Sequence, residues 1–358
     1  MSDNLFDRLR RLLESSGPVN WGLAREVAES VAGPAEPVEP WVAEEFVELT
    51  HTAALRVSAA SPLDAAPASE MVRATDRRTW AAESVAGFAY LAEPLAAKMG
   101  GPGGGEGDPL LAALGPALIG MQMGSMAGFM SHRVLAGFDV GLPVRVPGAS
   151  YVVPNIASFT TDHGLDVRQA RLWMALHETT HRAEMAVPWV SRHLGDLVAA
   201  FVDGLRPDPT ALEQRLQAFQ EPENLEALLA DPAALSGLLA GPEAEQVLRR
   251  IQAFMALLEG YAEWLVGRAA PGLVPEAPRL REAIDRRRAE PSPGEQMLQR
   301  MLGLDLQHHH YRVGTTFCDE VARRWGEDAL ARLWAGPEGL PSPGELEDPV
   351  GWAARVLL

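Results

Sequence analysis

The chain has 358 residues, 47% of them apolar and 22% charged, a balance that supports a sizeable buried core and excludes intrinsic disorder. Its 48 acidic residues against 31 basic ones give a formal charge of -17, which disfavours any surface that must neutralise phosphates; nucleic acid is not an expected partner. Cys318 is the only cysteine, so an internal disulfide, a thiolate metal cluster and a Cys-x-x-Cys redox pair are excluded, and any metal must be held by histidine and carboxylate.

In chain order, Leu5 to Leu13 alternates charged with apolar residues and lacks the uninterrupted apolar stretch of an export signal, so a cytoplasmic location is expected. Amphipathic spacings of three and four recur at Leu23–Ala28, Trp41–Val47 and Trp80–Phe88, punctuated by prolines. The run Gly100–Gly105 reads as a flexible linker between an N-terminal helical region, 1–99, and a larger region, 109–358, expected to pack together as one unit. Leu110–Ser131 carries no charge and repeats glycine at Gly120, Gly124 and Gly128, as a membrane helix would. Pro116, Gln122, the small-residue content and an acidic flank favour a buried central helix instead.

Val144–Pro154 has strand character but is bounded by prolines, which predicts at most a hairpin or an edge strand. Asp166 with Gln169 three places on is a capping-box pattern, predicting a helix through Arg171, Trp173, Leu176 and Met185 that Pro188 closes. Residues 205–250 alternate helical runs with five prolines, as short helices or a flap would. Further helices are predicted at about Ala244–Gly267 and Gly294–Trp325, with a loop-like tail from Pro337 to Pro349. The fold class expected is mainly α with a minimal β element.

Within the capped helix lies His177-Glu178-Thr179-Thr180-His181. Histidines four apart project from one helix face and can share one zinc ion, while Glu178, one residue on, lies beside the metal as a general base for water. A catalytic zinc needs a third protein ligand. Leu257-Leu258-Glu259-Gly260-Tyr261-Ala262-Glu263-Trp264 places two carboxylates on one helix face; one can bind zinc and the other hydrogen-bond a ligand histidine. Glu259 is assigned to the metal and Glu263 to the histidine.

The motif followed by Glu259-Gly260-Tyr261-Ala262-Glu263 resembles the gluzincin pattern, in which the first glutamate of such a helix is the third ligand. Tyr151-Val152-Val153-Pro154-Asn155, Arg171–Leu176 running into the motif, and Pro188-Trp189 resemble an actinobacterial family of zincin-like hydrolases. That family is described as zinc-dependent metalloproteases or as associated with coenzyme F420 biosynthesis. Met121-Gln122-Met123-Gly124, His132-Arg133-Val134-Leu135 and Tyr311-Arg312-Val313-Gly314 extend the resemblance over the chain from about residue 70 onward. It implies a mainly helical zincin-like metalloprotease fold and a Zn2+-dependent hydrolase; whether the substrate is a peptide or a small molecule is left open by the resemblance. Gln307-His308-His309-His310 departs from the family by being richer in histidine.

For a peptide substrate the expected chemistry is water activation by zinc, proton transfer through Glu178 and donation to the oxyanion by Tyr311. The alternative is a catalytically silent zincin fold that binds or scaffolds, with a structural metal. His308–His310 are read as surface or pocket-rim residues, because three consecutive helical residues fan out by about 100° each and cannot meet one ion. Cys318 reads as a buried apolar residue, and Arg286–Arg288 as a solvated helix face.

Overall fold

Among the described residues the first helix, α1 (Trp21–Ala32), is opened by Asn20, which accepts the Leu23 amide on its side chain. Proline at the first position opens the longer α2 (Pro40–Ala60). The computed structural model describes residues 17–100, 109–139, 143–205, 242–290, 293–302 and 308–358, without the side chains of 99–100, 109–114, 298–302 and 308–311. The expectations for Leu5–Leu13, for Gly101–Gly105 and for most of the 205–250 segment therefore lie outside the described residues, as do the side chains of His308, His309, His310 and Tyr311.

A short strand β1 (Val72–Thr75), then α3 (Arg77–Ser84) and α4 (Ala89–Gly100), lead to the uncharged helix α5 (Pro109–Ser131). Its glycines are explained by α1. A Cβ on Gly120 would lie 2.4 Å from the Asn20 carbonyl oxygen, and one on Gly124 2.3 Å from that of Ala24. The two backbones thus touch along one stripe, which only glycine permits. No helix among the described residues is long and apolar enough to cross a membrane.

Strand β2 (Ala149–Val152) pairs in parallel with β1, Val72 opposite Ala149 and Thr75 opposite Val152. Of the predicted hairpin or edge strand, the edge strand stands and the hairpin is corrected, since the partner is parallel. A parallel partner requires a long crossover, and here it comes from a segment more than seventy residues upstream that the pattern did not mark as a strand. On its other side β2 holds the 135–137 segment, through Val152 N to Leu135 O (2.9 Å) and Gly137 N to Ser150 O (3.1 Å). Tyr151 is anchored below by its hydroxyl on Thr50 (2.8 Å) and by stacking on Phe46.

The chain then folds through α6 (Val153–His163), α7 (Val167–Ala186), α8 (Val190–Gly204) and α9 (Pro242–Ala269). It closes with α10 (Ala277–Arg288), α11 (Pro293–Leu302), α12 (His308–Trp325) and α13 (Pro349–Val356). Of the helix predicted over Gly294–Trp325, the described parts are helical at Pro293–Leu302 and His308–Trp325, with 303–307 outside the described residues. Two helices run through the middle. In α7 every residue from Ala170 to His181 is buried, and so is every residue of α9 from Ala253 to Val266. A helix covered on all sides is a core element, so polar groups on it must find partners inside the protein. Gly260 of α9 meets Gly314 of α12 backbone to backbone: a Cβ on Gly260 would lie 2.2 Å from the Gly314 carbonyl carbon.

Candidate metal centre

The N-terminus of α7 is fixed as its sequence predicts: Asp166 accepts the Gln169 amide at 2.8 Å. The Gln169 side chain does not return to close the box. It accepts from the Glu276 amide (2.8 Å) at the start of α10, tying the two helix starts together. Two turns further along α7, His177 and His181 stand with ring centroids 4.6 Å apart in an edge-on arrangement. Glu259, on α9, faces both: Oε2 lies 3.7 Å from His177 Nε2, and Oε1 3.6 Å from His181 Nε2. One donor atom from each of the three falls within 4.8 Å of the others.

These separations are too long for hydrogen bonds. They are close to the roughly 3.4 Å that separates two ligands of a tetrahedral zinc at its usual bond lengths. His181 Nε2 is buried with no hydrogen-bond partner among the described residues, an arrangement that costs free energy unless something engages that nitrogen. Two imidazoles and one carboxylate are also a donor set that zinc favours. On geometry and chemistry the three residues fit such an ion.

The carboxylate that orients a histidine is Glu184, three residues after His181 on the same helix face. His181 Nδ1 donates to its Oε2 at 2.7 Å, which turns Nε2 towards Glu259. Burial pushes the His181 imidazole down, but the Glu184 and Glu259 carboxylates outweigh it and carry the group up to about 10; a metal held here would take the place of that proton. Burial lifts Glu184 to about 7 against the pull of His181. Burial also opposes ionisation of Glu259, yet the histidines and Arg288 hold its carboxyl well below the usual range. Sequence reading gave the orienting role to Glu263. That residue stands 4.0 Å from His177 Nε2 and accepts instead from Arg288 Nη1 at 2.9 Å.

Glu178 points to the β-element side of α7 and is completely buried. Its Oε1 accepts from Arg182 Nε (2.9 Å) and its Oε2 from the Phe138 amide (3.0 Å). The Phe138 ring lies between the two halves of the site, stacked on His181 at 5.0 Å and beneath the Arg182 guanidinium at 4.7 Å. Gly137 leaves room for this convergence, since a Cβ there would lie 2.8 Å from both Arg182 Nη2 and Glu178 Oε1. The turn is held from outside by Asp139, which accepts the Leu135 amide (2.8 Å) and pairs with Arg287 (2.8 Å).

Of the run read as a solvated helix face, Arg286 alone is exposed; Arg287 and Arg288 turn inward at the end of α10. Four residues at the site were missed in the sequence. Glu184 and Arg182 follow His181 and Glu178 at intervals of three and four on one helix, so the spacing itself carried the signal. Phe138 and Arg288 come from distant segments and gave none.

A family model described as zincin-like metallopeptidase matches residues 19–353. A solved structure from Chloroflexus aurantiacus, described as a "putative hydrolase with a novel fold", is similar with a TM-score of 0.71 and 25% sequence identity, covering 94% of this chain and 98% of that one. No curated protein sequence matches.

Proposed function

The chain belongs to the zincin-like metallopeptidase family, and from that premise we propose that it is a zinc-dependent hydrolase of peptide-like substrates. The observation that carries the reading is the convergence of His177, His181 and Glu259 donor atoms within 4.8 Å. The described residues supply three such ligands, the number typical of a catalytic zinc, whereas a structural one takes four.

In this reading His177, His181 and Glu259 hold the ion, which supplies a Lewis acid that activates water and polarises a carbonyl. The remaining work falls to the chain's own groups. Glu178 takes a proton from the attacking water and delivers it to the leaving amine. Arg182 and the Phe138 amide engage one lone pair on each of its oxygens; a carboxylate has about four such sites, so proton transfer keeps an acceptor while the group is held in one orientation. Glu184 holds the His181 ring. Tyr311, one turn before Gly314 on the helix packed against Gly260, is the residue we assign as donor to the oxyanion.

The test is Glu178→Gln, which preserves shape and removes the base. Turnover should fall by about 10²–10⁴-fold with zinc still bound at one equivalent. A variant as active as wild type sinks the mechanism, and a wild type that takes up no zinc sinks the reading itself. The second reading, a catalytically silent scaffold with a structural metal, draws on the burial of His177, Glu178 and His181, all 5% exposed or less. It predicts that chelation lowers thermal stability while no peptide in a broad library is cleaved.

A further inference from the structure

Arg288 reaches the candidate metal centre from the last turn of α10. Its Nη1 donates to Glu263 Oε1 at 2.9 Å, and its Nη2 lies 3.1 Å from His177 Nε2 and 3.5 Å from Glu259 Oε2. A guanidinium has donors and no acceptor, so His177 Nε2 must accept with its ring lone pair. That is the lone pair a metal would use. Glu259 Oε2 is likewise claimed twice, once by Arg288 and once as a prospective ligand atom.

We propose that Arg288 is a latch on the metal cradle: its guanidinium neutralises Glu259 and Glu263 when no ion is bound, and it must withdraw from His177 before one can bind. This rests on the metal-centre reading above. One lone pair cannot accept a proton donor and coordinate an ion together. Arginine stays charged at any working pH, so it cannot yield by losing a proton. The monocation and the incoming dication also repel each other at this range. The bond to Glu263 is made by the other nitrogen and is not contested, so it serves as the pivot. Arg288 thereby sets zinc affinity, while the three ligands set its geometry.

The experiment is zinc affinity by chelator competition, measured on the full chain for wild type, Arg288→Gln, Arg288→Lys and Arg281→Gln. Arg281 lies 3.8 Å from Glu263 and touches neither histidine, so it controls for lost charge alone. Arg288→Gln should bind zinc about tenfold more tightly, as expected when a charge-assisted hydrogen bond no longer has to be broken. Arg288→Lys should fall between it and wild type, and Arg281→Gln should stay within about twofold of wild type. If Arg288→Gln does not fold, as judged by circular dichroism, Arg288→Lys decides. Variants that bind no more tightly than wild type overturn the latch and leave the metal centre standing. An equal gain in Arg281→Gln also overturns it, because charge alone then suffices. A wild type that binds no zinc removes both.

Discussion

Replacing Glu184 tests whether the carboxylate behind His181 shapes the candidate metal centre. The side chain is fully buried and accepts from Nδ1 at 2.7 Å, so Glu184→Gln preserves the volume and one neutral hydrogen bond but removes the charge. Glu184→Ala removes the bond as well, and leaves a buried N–H and a cavity. Loss of such a partner typically costs 10- to 100-fold in metal affinity, or ~1.4–2.7 kcal/mol. A charge-assisted hydrogen bond is roughly twice as strong as a neutral one, so glutamine should sit near the tenfold end and alanine near the hundredfold end. Zinc affinity by chelator competition at fixed pH measures this, with circular dichroism confirming that each variant is folded. Folded variants that both bind zinc within about twofold of wild type would refute the reasoning, because Nε2 would then be oriented by something other than Nδ1.

Two more outcomes follow from packing and from charge. Gly260→Ala puts a methyl group 2.2 Å from a backbone carbon where ordinary contact begins at 3.4 Å, so α9 and α12 must part by about 1.2 Å. Overpacking of this kind costs about 1–3 kcal/mol or more, against a helix-propensity gain of about 1 kcal/mol. A melting temperature at or above that of wild type would contradict it, and zinc affinity should fall with stability because Glu259 is the adjacent residue. At the C-terminus, Arg355 pairs with both oxygens of Glu345 at 2.8 Å and holds its carboxyl down to about 2. A carboxyl lowered by folding stabilises the protein above its ordinary value near 4.5 and loses that contribution as pH falls towards 2. The stability gap between wild type and Glu345→Gln should therefore be constant above pH 4.5 and close below it; a gap independent of pH would exclude the pairing.

The helical content and the two helices that carry the candidate ligands were legible because their signals are local. The Asp166 cap, the four-residue spacing of the histidines and the apolar run around Glu259 each lie within one or two turns. What escaped was brought in by tertiary contact. The partner of β2 is more than seventy residues upstream, so its strand character depends on a pairing that no short window contains. Arg286, Arg287 and Arg288 look equivalent in sequence and differ only in what the end of α10 faces: solvent, Asp139, and the cradle. Glu184 was readable in principle. A glutamate three places after a candidate ligand histidine belongs to the same helix face, whereas the Glu-x-x-x-Glu spacing of Glu259 and Glu263 does not say which histidine either one reaches.

The support of Glu178 runs through a chain of backbone pairings. Phe138, whose amide holds the carboxylate, hangs from β2, and β2 hangs from β1; Gly148, at the bend before β2, has no room for a Cβ beside the Met71 carbonyl oxygen, 2.3 Å away. In a genetic screen for lost activity, substitutions at Met71, Gly148 or along Val72–Thr75 should therefore cluster with those at Glu178 itself. Such a map would extend the genetic outline of the candidate site to a sheet that stands behind Glu178.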